Sequence, residues 1–232
     1  AFNPETQESA RKQSGSFYTP KEVVNYMVDE SLKTYLKTHL PTFASKLIDE
    51  LFEEQDLTAD FDNITKYKQV AECLRKVKIL DPACGSGAFP MGILNRMVYI
   101  LEKLGVDTNE TTYQLKRHLI EKCIYGVDIQ TIAAQISKLR FFISLILEQT
   151  GTNTDPALNY GIQPLPNLET KFVTANTLIA IREKKCEVQG DLFESSITTI
   201  KEELIKIREA HFEASSPYQK KRLREQDRNL RE

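Results

Sequence analysis

The feature that most constrains this chain is a nine-residue run, Asp81-Pro82-Ala83-Cys84-Gly85-Ser86-Gly87-Ala88-Phe89. It follows a brief apolar segment, Val77-Lys78-Ile79-Leu80, and leads into residues 91–104, where apolar side chains recur at helical spacing. A strand that passes through a glycine loop into a helix narrows the choice of architecture. The glycines allow positive φ and a close approach of a ligand to the backbone. The amides at the start of the helix favour a negative group. The unit then repeats. Residues 123–129 (CIYGVDI) form a second apolar run containing Asp128. Residues 131–148 form a long apolar helix with Ile132, Ile136, Leu139, Phe142, Ile143 and Ile146, and Phe141, Phe142 and Ile146 read as core. Lys171 to Leu178 reads as a third strand and its exit loop. Strand, helix, strand, helix, strand predicts an α/β fold with a parallel sheet.

The segments on either side differ in texture. Residues 1–16 are polar and read as an arm. From Pro20 a helix is expected, with Val23, Val24, Met27, Val28, Leu32 and Leu36 on one stripe and Thr19 as its N-cap. Two more helices follow, at about 42–54 and 65–76. Beyond residue 179 no strand pattern appears. Residues 180–232 hold 12 Lys/Arg and 11 Asp/Glu, with Ile197, Ile200, Leu204 and Ile207 on a narrow seam. Pro217 suits the first turn of a final helix. This divides the chain into a helical region at 1–76, an α/β core at 77–179 and a charged helical extension at 180–232.

Composition excludes several classes. The net charge of −2 does not suit a wholly basic, histone-like binder. No apolar run approaches the roughly 18–20 residues of a membrane span. The four cysteines, at 73, 84, 123 and 186, form no CxxC pair, so no metal site is expected and the thiols read as reduced and cytoplasmic. The chain does not begin with Met and reads as a piece of something longer.

Three ligands compete for the glycine loop. A P-loop needs a Lys after its last glycine, and none follows Gly87. A dinucleotide loop needs a third glycine where Pro90 stands, and an acid about 20 residues on. S-adenosylmethionine has no pyrophosphate and dispenses with the third glycine. Its amine and ribose diol need carboxylate partners, which Asp81 and Asp128 can supply. A ligand-free strand–helix turn, with Asp128 merely capping the next helix, stands as the plain alternative.

The run DPACGSGAF resembles motif I of the DNA adenine-N6 methyltransferases of γ order, and most closely the methyltransferase region of type IIG restriction-modification enzymes. Ser16-Phe17-Tyr18-Thr19-Pro20 is similar to that family's motif X, Tyr125-Gly126-Val127-Asp128-Ile129 to motif II, and Thr174-Ala175-Asn176-Thr177-Leu178 to motif III. The resemblance implies a Rossmann-like, S-adenosylmethionine-dependent methyltransferase fold with a partial parallel sheet. It also implies a cofactor site made by Phe17, Tyr18, Thr19, Pro20, by Asp81, Pro82, Ala83, Cys84, Gly85, Ser86, Gly87 and Phe89, by Asp128 and Ile129, and by Asn176, Thr177 and Leu178. The implied partners are double-stranded DNA and the remaining methyltransferase and target-recognition regions of the same chain, with no membrane. Lys220, Lys221, Arg222 and Arg224 form a basic run suited to DNA phosphate.

Two departures matter. The family's [DNS]PP[YFW] motif is not found; Ser215-Ser216-Pro217-Tyr218 comes nearest and reads as a decoy. The chain thus reads as the cofactor half of such an enzyme, inactive alone. Several relatives carry Asp where Asn176 stands, so charge is lost there. The alternatives are a methyltransferase of RNA or protein, or a non-catalytic assembly module on the same fold.

Overall fold

The computed structural model describes residues 19–43, 45–53, 57, 61–106, 109–149, 155, 162–163, 165–179, 191–214 and 216–230. The expected motif X residues Phe17 and Tyr18 lie outside them. In chain order the elements are α1 (Lys21–His39), α2 (Ser45–Glu50), α3 (Phe61–Lys76), β1 (Ile79–Asp81), α4 (Ala88–Leu104), α5 (Thr112–Lys122), β2 (Ile124–Asp128), α6 (Thr131–Ile146), a 3₁₀ turn (Leu168–Thr170), β3 (Phe172–Thr174), α7 (Asp191–Glu213) and α8 (Pro217–Asn229). Most of the described chain is helical, around a three-stranded parallel sheet in the order β1-β2-β3. Ile79 pairs with Ile124, and Gly126 with Phe172, so β2 and β3 end level at Asp128 and Thr174, while β1 ends at Asp81 opposite Gly126, two residues short of the end of β2.

The expected α/β alternation is what forms. Its strands are short because each ends at an acid or a polar exit, and the two outer ones are only partly covered, with Leu80 60% and Val173 37% exposed. The helical region is not a separate layer. α1 packs along α4, and Val24, Val28, Leu32 and Leu36 join Leu94, Met97 and Leu101 in one core. Gly92 lets them approach: a Cβ there would stand 2.8 Å from Val24 Cγ1. Arg96 fastens the junction, donating to both carboxylate oxygens of Asp29 at 2.7 and 2.8 Å and to the Phe52 carbonyl at 2.6 Å.

Several expectations shift. Pro20, not Thr19, is the N-cap of α1, and no side chain caps it. Val23 and Met27, expected on the buried stripe, are 44% and 48% exposed. α1 packs on α4, α2 and α3 through Val24, Val28, Leu32 and Leu36, and that buried stripe is narrower than its apolar residues allow. The second helix shortens to six residues, while α3 begins at Phe61.

The largest correction concerns α6. Ile132, Ile136, Leu139, Ile143 and Ile146, the apolar stripe of the sequence, are all 40% exposed or more. The buried face is Ala134, Ser137, Phe141, Ser144 and Leu145. Where the helix crosses the glycine loop a small residue is needed: Ser137 lies so close that a Cβ on Gly87 would stand 2.9 Å from its Oγ. Phe141 stacks on Phe172 with ring centroids 4.6 Å apart, and Phe142 packs against the core.

The charged extension forms a hairpin. Ser216 caps α8, accepting from the Gln219 amide, with Pro217 at N1. The SSPY segment is therefore a helix start, and Tyr218 is 77% exposed. The hairpin joins the body where Phe212 is fully buried and its carbonyl accepts from the Asn167 amide at 2.9 Å. Lys122 pairs with Glu209 at 2.6 Å, and Arg117 with Glu213. No helix among the described residues is long and apolar enough to cross a membrane.

Candidate cofactor site

The three strands deliver their last residues to one edge of the sheet, and the glycine loop crosses that edge. β1 ends at Asp81, whose Oδ1 accepts from the Ala83 amide at 3.1 Å and turns the chain through Pro82. The Cys84 amide donates to the Val127 carbonyl at 2.9 Å, tying the loop to β2. Gly85 and Gly87 have φ of +54° and +84°, left-handed values that favour glycine. Gly87 is the N-cap of α4, so the amides of Ala88 and Phe89 lie ahead of any intrahelical acceptor.

Asp128 is the pin of this arrangement. Its Oδ2 accepts from the Gly85 amide at 2.8 Å, and its Oδ1 from the Gln130 amide at 2.8 Å. It therefore does lead into α6 through a local turn, and it also joins the end of β2 to the glycine loop. Each carboxylate oxygen keeps a second lone pair for another donor.

Asp81 is different. Its Oδ2 is buried and has no hydrogen-bond partner among the described residues. Burial pushes its carboxyl pKa upward, the Ala83 amide holds it down, and the neighbouring charge of Asp128 pushes it up again. A buried acceptor left open costs about 1–3 kcal/mol. An ammonium or other donor beside it would recover that cost and would also relieve the repulsion between the two acids.

Cys84 is 5% exposed, and burial pushes its thiol up to about 11. It packs as a small residue and is not poised as a nucleophile. Beyond Asp128 and β3, apolar side chains stand in the open: Ile129 is 65% and Leu178 92% exposed. The Thr177 hydroxyl donates to the Pro82 carbonyl at 3.1 Å, which brings the exit of β3 onto the glycine loop. Asn176 turns the chain, its Oδ1 accepting from the Leu178 amide at 3.0 Å. Of the upstream motif, Thr19 is half-buried and Pro20 exposed at the start of α1.

The structure thus gathers the residues of 81–89 with Asp128 and Thr177 by direct hydrogen bonds. It also shows residues that the motifs did not. Ser137 of α6 donates to the Gly85 carbonyl at 2.9 Å, and Arg140 to the Ser86 carbonyl at 3.0 Å. A Cβ on Gly87 would meet Ser137 Oγ at 2.9 Å. Gly126 is needed for Phe172, since a Cβ there would lie 2.6 Å from its ring. The signal for Ser137 was its place in a second, small-residue stripe with Ala134 and Ser144.

The basic run divides. On α8, Lys220 and Arg224 turn toward α6 and the 3₁₀ turn, where Arg224 pairs with Glu169. Lys221 is exposed, and Arg222 faces the space between α7 and α8. Positions one and two apart on a helix point in different directions, so the four do not form one patch.

Comparison with known proteins fits this geometry. Residues 57–225 match the family described as MmeI, DNA-methyltransferase domain. The chain belongs to that family. Among individual relatives, a protein of Methanocaldococcus jannaschii named as a type II restriction enzyme and methyltransferase is 32% identical over 184 residues, 74% of this chain and 15% of that one. DNA methyltransferase A of Bacillus subtilis is 28% identical over 179 residues, covering 72% of this chain and 20% of its own. Adenine-specific methyltransferase BrxX of Escherichia coli is 30% identical over 125 residues, or 52% and 10%. The chain thus spans a fifth or less of these relatives. The MmeI-family match contains the glycine loop, Asp128 and the β3 exit, and begins after α1.

Proposed function

We propose that this chain supplies the cofactor-binding region of an S-adenosylmethionine-dependent DNA adenine-N6 methyltransferase of the restriction-modification kind. The observation that carries the reading is the open, buried Oδ2 of Asp81 beside Asp128 at the mouth of a left-handed glycine loop. A cationic, amine-bearing ligand with a carboxylate of its own matches that donor set. The names of the relatives supply DNA and adenine as the substrate.

On this reading residues 77–179 are a Rossmann-like core, 1–76 a helical region that begins the site, and 180–232 an extension. Asp81 would take the ligand's amine. The amides at the start of α4 would take its carboxylate, and Gly85 and Gly87 would leave room for the chain between. Asp128 would accept from the ribose hydroxyls on its remaining lone pairs. Ile129 and Leu178 would flank the adenine ring, with Asn176 near its amino group. Phe17, Tyr18, Thr19 and Pro20 would close the methionine end.

S-adenosylmethionine, when bound, supplies a methyl group activated by its sulfonium. The chain's own part is alignment and electrostatics: two carboxylates favour a cation, and a rigid loop fixes where it lies. Isothermal titration with S-adenosylmethionine, with NAD as control, tests the reading. Binding of the first alone is expected; binding of NAD alone would overturn it.

A further inference from the structure

A second feature lies on the far side of α6 from the glycine loop. A cleft of about 220 Å³ opens between α6, the segment 165–169 and α8. Phe142, Leu165 and Pro166 make its apolar floor, and Gln135, Lys138 and Lys220 bring polar groups to its rim. Glu169 is the one acid on that rim, and Arg224 takes it in an ion pair. Asp227, the nearest buried acid on α8, is spent on Arg208 at 2.9 Å. Among the described residues, neither Lys138 nor Lys220 has an ion-pair partner.

Each lysine has another basic group near it. Burial and the charge of Arg224 both push the Lys138 ammonium below the usual lysine range. Burial and the charge of Lys220 push His211, behind Asn167, in the same direction, against the charge of Asp227. Like charges held together on different elements are costly unless an anion joins them. The cleft is smaller than the roughly 300 Å³ expected for a whole small ligand. It suits one group. Two lysines act as point charges, the manner in which Lys binds phosphate, whereas the fork that would match a planar carboxylate belongs to Arg224 and is engaged.

We propose that this cleft seats a single phosphate group between the ammonium groups of Lys138 and Lys220, with the Gln135 amide as a further donor, and that the phosphate is one of a DNA backbone. The choice of DNA as its source rests on the function proposed above; the phosphate chemistry stands without it. Lys138 neighbours Ser137, which holds the glycine loop, so one helix would position both the cofactor loop and a strand of nucleic acid.

The test is binding of a short DNA duplex to the whole chain across a range of salt. The Lys138→Gln/Lys220→Gln double variant is expected to lose about tenfold in affinity at low salt, and to flatten the plot of log affinity against log salt by about 1. Lys66→Gln, on exposed α3 surface, is the control and keeps both. The fold survives the substitutions by circular dichroism, since they remove repulsion. In a parallel arm, inorganic phosphate is titrated against thermal unfolding. If duplex binding is unchanged but phosphate stabilises the native chain and not the double variant, the seat stands and DNA as its source is overturned. If the double variant behaves as the native chain in both arms, or the native chain responds to neither probe, the seat itself is overturned. The binding of S-adenosylmethionine, measured separately, shows whether the proposed function falls with it.

Discussion

At the carboxyl ends of β1 and β2 stand Asp81 and Asp128. At the amino ends of the three strands stand Lys78, Cys123 and Lys171, one ahead of each. The second set is closed. The Lys171 ammonium donates to the Glu121 carbonyl at 2.5 Å and lies 4.4 Å from the centre of the Tyr125 ring. Lys78 donates to the Lys122 carbonyl, and the Cys123 thiol to the Arg75 carbonyl at 3.2 Å. The carboxyl end keeps an unpartnered buried oxygen, two left-handed glycines and exposed apolar side chains. Lys78, Cys123 and Lys171 thus all bond within the chain, although Thr170 Oγ1 nearby is buried without a partner among the described residues, whereas at the other end Asp81 keeps one carboxylate oxygen open. On the proposed reading, that open charged group is where the ligand's amine belongs.

That contrast can be broken by mutation. The largest effect is expected from Asp128→Ala, which removes the acceptor for two amides as well as the proposed ribose contact. Loss of those bonds should destabilise the chain by about 1–3 kcal/mol, and S-adenosylmethionine should bind about ten- to a hundredfold more weakly by calorimetry. Unchanged affinity with the fold intact would remove Asp128 from the site.

Asp81→Asn separates the two roles. Its carboxyl is held above its usual pKa by burial, so the ionised group opposes folding at neutral pH. The variant should lose about tenfold in cofactor affinity while its melting temperature stays level or rises. A fall in melting temperature would place Asp81 among the internally satisfied groups, with those at the other end of the sheet.

The amino end is read through pH. Burial lowers the Lys171 ammonium from its ordinary value to about 8. Between pH 8 and 9 the unfolded chain holds that proton and the folded chain releases it, so this group alone raises stability with pH, by about 1 kcal/mol over the interval, part of which the buried thiols offset. Above pH 9 the direction reverses, because Cys84 and Cys123, both raised to about 11, keep protons that the unfolded thiols release. Lys171→Met should reduce the rise in urea unfolding curves to what Lys138 contributes, and leave cofactor affinity alone. A rise undiminished in the variant would assign it to another group.

The smallest effect is expected at Ser137→Ala. It removes one hydrogen bond to the Gly85 carbonyl, worth about 1 kcal/mol. S-adenosylmethionine affinity should fall a few-fold. A loss as large as that of Asp128→Ala would make Ser137 a direct ligand contact instead of a support beneath the loop.

Much of this was legible in the residue order. The glycine loop, the acids that close β1 and β2, the parallel alternation and the Ser216-Pro217 start of α8 are local matters. Each follows from the φ freedom of glycine, the period of apolar residues or the capping habits of a hydroxyl, which act within a few positions along the chain. The face that α6 buries was not legible. Hydropathy favoured Ile132, Ile136 and Leu139, yet the position beside Gly87 holds Ser137 on the opposite face, and the isoleucines are left outside. The splitting of the basic run on α8 had the same cause, since helical rotation sends Lys220 and Arg222 to different neighbours.

By itself, then, the sequence determined which segments are strands and helices and where the glycine loop must form, because those choices are made by neighbours in the chain. Only the tertiary structure decided which Asp oxygen stays open, which side of α6 carries the loop and which lysines meet across a cleft. Those outcomes depend on distances between elements far apart in sequence, and steric room and unpaired charge exist only once the elements are packed.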